Sequence, residues 1–94
     1  MTPISDEECE EAVREALDSL PPEIAARLAN VAVIIDDSPT NGLMGVYDPR
    51  GGLRRIVIFR SANPSAKEVR RTVLHEVGHH FGMSEQQIRE LGYG

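Results

Sequence analysis

The chain has 94 residues, enough for one hydrophobic core and near the lower end of what such a core stabilises unaided. A net charge of −5 argues against non-specific binding to nucleic acid or anionic membrane, which wants a basic surface, and a lone cysteine, Cys9, excludes an intramolecular disulfide. With 40% hydrophobic and 27% charged residues the composition is globular, and 4% aromatics without tryptophan predict an aliphatic core.

The first helix is signalled at Ser5. Glu8, three residues on, completes a capping box, and Ile4 and Cys9 bracket it as a hydrophobic staple. Cys9, Ala12, Val13, Ala16, Leu17 and Leu20 recur at helical spacing, which leaves the acidic Asp6, Glu7, Glu8, Glu10 and Glu11 to water and to the positive helix end. On that apolar face Cys9 reads as a buried structural thiol. Pro21-Pro22 stops the helix, and Pro22–Leu28 reads as a short helical turn that covers a sheet edge or orients the next strand. The opening M-T-P-I-S-D-E-E has neither a basic nor an apolar leader region, and no apolar run reaches the roughly 20 residues of a bilayer span. A cytoplasmic location, with no membrane partner and no nucleic acid, is the expectation.

Val31–Ile35 is a continuous, largely β-branched run, the pattern of a strand buried on both faces. Asp36 to Gly42 is loop chemistry, in which Asp36 and Asp37 form a weak candidate cation site. A second strand is predicted over Leu43–Tyr47, with Gly45 marking a bulge or a close backbone approach. After an Asp48–Gly52 turn, Leu53–Phe59 is a third strand, with Ile56 and Ile58 on one face and Val57 and Phe59 on the other; so short a turn makes these two strands antiparallel neighbours. Arg50, Arg54, Arg55, Arg60, Arg70 and Arg71 read as solvated charges balancing the acidic helix rather than as a binding patch. Asn63, with Pro64 at the first helical position, is the expected cap of the next helix.

That helix carries the chemistry. Projected on a helical wheel, Val69, Val73, Val77, Phe81 and Leu74 fall side by side and form one apolar stripe. His75 and His79 fall roughly opposite it, with Glu76 between His79 and the stripe's edge at Val69, whereas His80 lies inside the stripe as a packed histidine. His75, Glu76 and His79 spell H-E-x-x-H. Imidazoles four residues apart share one helix face and can bind one Zn²⁺, and the glutamate between them can act as general base on a metal-bound water. The pattern continues as H-E-x-x-H-x-x-G-x-x-E: Gly82 suits the turn that ends the helix, and Glu85 stands where metzincin spacing has its third histidine. A carboxylate is an acceptable zinc ligand, so His75, His79 and Glu85 form the candidate metal set and Glu76 the candidate catalytic residue. Ser84 and Gln87 cap a short last helix bearing Ile88 and Leu91.

H-E-V-G-H-H-F-G-M-S-E-Q-Q-I-R-E-L, after the strand R-R-I-V-I-F-R and the N-P-S helix start, resembles the small bacterial zincin-like metallopeptidases, or minimal zincins. No separate methionine turn follows the site. The resemblance implies a zinc site and peptidase activity, with His75, His79 and Glu85 as ligands and Glu76 as base. It also implies a peptide or protein substrate lying along an edge strand, either Leu43–Tyr47 or Leu53–Phe59. The expected architecture is a single α+β domain over residues 1–94, acting as a monomer, with a three-stranded sheet packed on the metal helix and helices flanking it. Tyr47 and Tyr93 are candidate oxyanion helpers. Two other classes compete with the metalloendopeptidase reading: a non-catalytic metal-binding or protein-interaction module, and a metal-dependent hydrolase of ribonuclease type. Glu76 and the acidic charge speak against the ribonuclease.

Overall fold

A computed structural model describes residues 4–38, 41–49 and 54–90. The order is α1 (Asp6–Asp18), α2 (Pro22–Ala26), β1 (Val31–Asp36), β2 (Gly45–Asp48), β3 (Arg54–Phe59), a 3₁₀ turn (Arg60–Ala62), α3 (Ala66–His80) and α4 (Glu85–Glu90). The class is α+β, as expected. Leu53, the 50–52 part of the predicted turn, Leu91 and Tyr93 lie outside the described residues.

α1 begins as its capping residues dictate. Ser5 Oγ accepts the Glu8 amide at 3.2 Å, and Ile4 and Cys9 are both buried in the core. Burial pushes the Cys9 thiol above its usual range, against the opposing charge of Arg60, in keeping with a structural cysteine. α1 packs on α3, and α3 packs on β2 and β3. The shared core joins Cys9, Ala12, Val13 and Ala16 of α1 to Ile56 and Ile58 of β3 and Val69, Val73 and Val77 of α3. Each buried isoleucine contributes about 1.5–3 kcal/mol.

The sheet order is β1-β3-β2, with β2 antiparallel and β1 parallel to β3. Ile56 and Ile58 are buried and Val57 and Phe59 half-buried, the alternation expected of β3. Two strand expectations need correction. β1 is an edge strand covered on one face only: Val31, Val33 and Ile35 meet the core while Ile34 is 39% exposed. Its unbroken apolar run matched a doubly buried strand because β-branched residues suit either setting. β2 starts at Gly45, so Leu43 and Met44 precede it.

The cap of α3 also differs from the expectation. Ser65 is the N-cap, its Oγ accepting the Glu68 amide at 3.3 Å. Asn63 is instead completely buried, and its amide ties three elements together. Nδ2 donates to the carbonyls of Met44 (3.0 Å) and Phe59 (2.7 Å), while Oδ1 accepts the Thr72 hydroxyl at 2.7 Å. The start of β2, the end of β3 and α3 are thereby held in one register. Ser65-Ala-Lys-Glu68 is itself a capping-box spacing, the local signal that separates the two candidate caps.

The surface arginines mostly meet acids. Arg60 bridges Asp6 (3.0 Å) and Asp37 (2.6 Å) and donates to the Ile4 carbonyl, Arg70 lies 3.9 Å from Glu15, and Arg55 lies 3.2 Å from Asp48. Asp37 is thus paired with Arg60, and Asp36 accepts the Ser38 amide at 2.7 Å. Among the described residues no helix is long and apolar enough to cross a membrane.

Replacing Asn63 with Ala removes three hydrogen bonds inside the core and leaves polar groups without partners. Chemical denaturation should show a loss of about 2–4 kcal/mol, whereas Thr72→Val should lose about 1 kcal/mol.

Candidate metal centre

α3 presents its histidines because one side of it is committed to the core. Val69, Val73 and Val77 are buried, while His75 and His79 are half-buried on the opposite arc. The end of α3 then aims the chain back. Phe81 is the C-cap and Gly82 follows with φ 76°, the left-handed conformation that glycine adopts without a Cβ penalty. The Met83 amide bonds the Gly78 carbonyl and the Gly82 amide bonds the His79 carbonyl, both at 3.0 Å, a Schellman termination. Ser84 immediately caps α4 with a reciprocal box: the Gln87 amide donates to Ser84 Oγ at 3.2 Å, and the Ser84 amide donates to Gln87 Oε1 at 2.8 Å. Glu85 is therefore the first residue of α4, and its carboxylate faces the histidines.

The donor atoms converge. His79 Nε2 lies 2.8 Å and His75 Nε2 3.3 Å from Glu85 Oε1, and the two Nε2 atoms are 3.2 Å apart. A tetrahedral ion with bonds of about 2.0–2.1 Å keeps its donors roughly 3.3–3.4 Å apart, so the three atoms already stand close to the edges of such a tetrahedron. Two imidazole nitrogens and a carboxylate oxygen are also the donor chemistry that zinc takes. Among the described residues this is the one His/Cys/Asp/Glu group so arranged. Glu85 is desolvated, which raises its carboxyl pKa, but the charges and hydrogen bonds of His75 and His79 outweigh this and hold it below the usual range.

Glu76 stands apart from that set. It is only 7% exposed, and burial pushes its carboxyl above the usual range although the charges of His75 and His79 pull it down. With His75 it lines a cavity of about 300 Å³, walled by Met44 and Gly45 on one side and by Glu68, Arg71 and Thr72 of α3 on the other. Gly45 allows this approach: a Cβ there would lie 2.7 Å from Thr72 Cγ2 and 3.3 Å from Glu76 Cγ. His80 is not in the donor set and packs as expected, its Nδ1 3.0 Å from the Tyr47 hydroxyl. That contact occupies Tyr47, the described one of the two tyrosine candidates.

Gly78 and Asn63 are the site-building residues that motif reading passes over. Gly78 sits between the motif histidines, in positions the pattern leaves free, yet a Cβ there would lie 2.7 Å from Cγ1 and 2.9 Å from Cδ1 of the buried Ile88. In an ordinary helix Gly→Ala gains about 1 kcal/mol. Here Gly78→Ala should instead lower stability by about 1–3 kcal/mol through overpacking, and amide exchange across residues 85–90 should accelerate as α4 is displaced.

Residues 49–94 match the model of the zincin-like metallopeptidase family. No curated protein matches the chain. The matched stretch runs from the end of β2 through both motif histidines, Glu76 and Glu85, and over these residues the chain is similar to the zincin-like metallopeptidase family.

Proposed function

We propose that this protein is a zinc-dependent peptidase in which His75, His79 and Glu85 hold the ion and Glu76 is the general base. The observation that carries the proposal is the pairing of a preassembled donor triangle, with edges of 2.8 to 3.3 Å, with a buried carboxylate on the adjoining cavity wall. The match of residues 49–94 to the zincin-like metallopeptidases supports the reaction class, hydrolysis of a peptide bond in a peptide or protein substrate.

Zinc, when bound, supplies Lewis acidity: it brings the pKa of a coordinated water to about 7 and polarises a substrate carbonyl. The chain's own residues do the rest. Glu76 takes the proton of the attacking water on a carboxylate oxygen and delivers it to the leaving amine nitrogen as the C–N bond breaks. Its burial supports that exchange, because a carboxylate in a dry setting holds a proton more readily than one in water. Glu85, fixed at the start of α4, would neutralise part of the ion's charge. For substrate we assign the β2 edge rather than β3, because β3 is the internal strand of the sheet and cannot accept another. An extended peptide added to β2 would pass Met44 and Gly45 and meet Glu76 across the cavity.

Elemental analysis of chelator-free protein should find close to one zinc per chain, and His79→Ala should abolish it. Glu76→Gln keeps the volume and removes the base. It should retain the zinc and lose turnover of a peptide library by about 10²–10⁴-fold. Zinc retained with no turnover in wild type, under the same library, would make the protein a metal-binding module instead. Absence of zinc after supplementation would overturn the reading altogether.

A further inference from the structure

A second hollow, of about 250 Å³, is lined by Arg27, Asn30, Val31, Arg54 and His80 and shares no residue with the cavity beside Glu76. It lies where the turn after α2, the starts of β1 and β3 and the last residue of α3 meet. The β1–β3 register sets Arg54 beside Val31. Arg54 also shares strand parity with Ile56 and Ile58, whose side chains are fully buried, so this arginine projects from the inward face of the sheet, beyond the end of the core. Arg54 is itself exposed, so its guanidinium remains accessible to a solute in the hollow. Among the described residues no carboxylate lines the hollow and neither Arg27 nor Arg54 makes an ion pair, whereas Arg55, Arg60, Arg70 and Arg71 all do.

His80 forms a fixed wall. Its Nδ1 is 3.0 Å from the Tyr47 hydroxyl, a contact that holds the ring in place. The hollow's permanent positive charge belongs to the two guanidiniums. Each presents a planar fork of N–H donors that matches a pair of oxygens, and Asn30 adds an amide donor of the same kind. The carbonyl end of α3 opposes them with roughly half an elementary charge, against two full positive charges. Two guanidiniums match a dianion better than a monovalent carboxylate.

We infer that the hollow formed by Arg27, Asn30, Arg54 and His80 binds a phosphate group, either free phosphate or a phosphate monoester. This site is independent of the zinc reading, since it uses none of the donor residues and none of the cavity beside Glu76.

The test is an amide NMR titration of the full ¹⁵N-labelled chain with inorganic phosphate and, separately, with phenyl phosphate, at ionic strength held constant with sodium chloride. Saturable shifts should centre on the Asn30 side-chain amide and the Val31 and Arg54 backbone amides. Arg27→Gln and Arg54→Gln, both exposed and tolerable to the fold, should each weaken binding about tenfold or more, while Arg14→Gln on α1 should change nothing. Equal affinity in the two arms would mean that the phosphate group alone is read; tighter binding of phenyl phosphate would point to a monoester. Shifts that follow sodium chloride alone, that persist in both hollow variants, or that map to His75, His79 and Glu85 would overturn the inference.

Discussion

The candidate metal centre depends on how closely α3 is approached on its two flanks. Around the helix, the arc that carries His75 and His79 lies between Gly78 on one side and Thr72 and Glu76 on the other. Each flank is closed by a contact that has no room for a Cβ: β2 reaches Thr72 and Glu76 through Gly45, and Ile88 of α4 reaches the helix through Gly78. Glycine at these points lets a strand and a helix stand as walls on either side of the histidines. Van der Waals exclusion, rather than a directional bond, thus shapes the cleft.

The two acidic residues of the centre differ because their surroundings differ. Glu76 points to the wall where β2 meets α3, and loss of water raises its proton affinity. Glu85 starts a short helix at the surface, where two imidazoles lower its proton affinity more than desolvation raises it. The two carboxyls thereby differ in proton affinity, the kind of divergence that the proposed division of roles between them requires.

Much of this was readable without coordinates, because the devices involved span only three or four residues. The Ser5–Glu8 and Ser84–Gln87 boxes, the turn at Gly82, the alternation of Ile56 and Ile58 with Val57 and Phe59, and the shared face of His75 and His79 all follow from backbone geometry over one turn or one pleat. His80 was separable from its neighbour His79 on the same grounds, since one residue rotates a helix by about 100°. Where local chemistry offered two solutions the reading failed: Asn63 and Ser65 are both good caps, and the Asn63-Pro64 pair was followed although the Ser65–Glu68 box spacing favours Ser65. β1 failed similarly, as a β-branched run carries no mark of whether one or both of its faces will be covered.

Local periodicity and capping therefore settle the elements, the donor face of α3 and the return of Glu85 towards it. Tertiary structure alone decides the order β1-β3-β2, the buried Asn63 amide joining Met44 to α3, the wall that β2 places against Glu76, and the gathering of Arg27 and Arg54 around His80. The reason is separation along the chain. Asn63 and Met44 are 19 residues apart, and Tyr47 and His80 are 33 apart. No rule built on a helical turn or a strand pleat reaches that far; such pairs are chosen by which packing of the whole chain buries the most apolar surface while leaving no buried polar group unmatched.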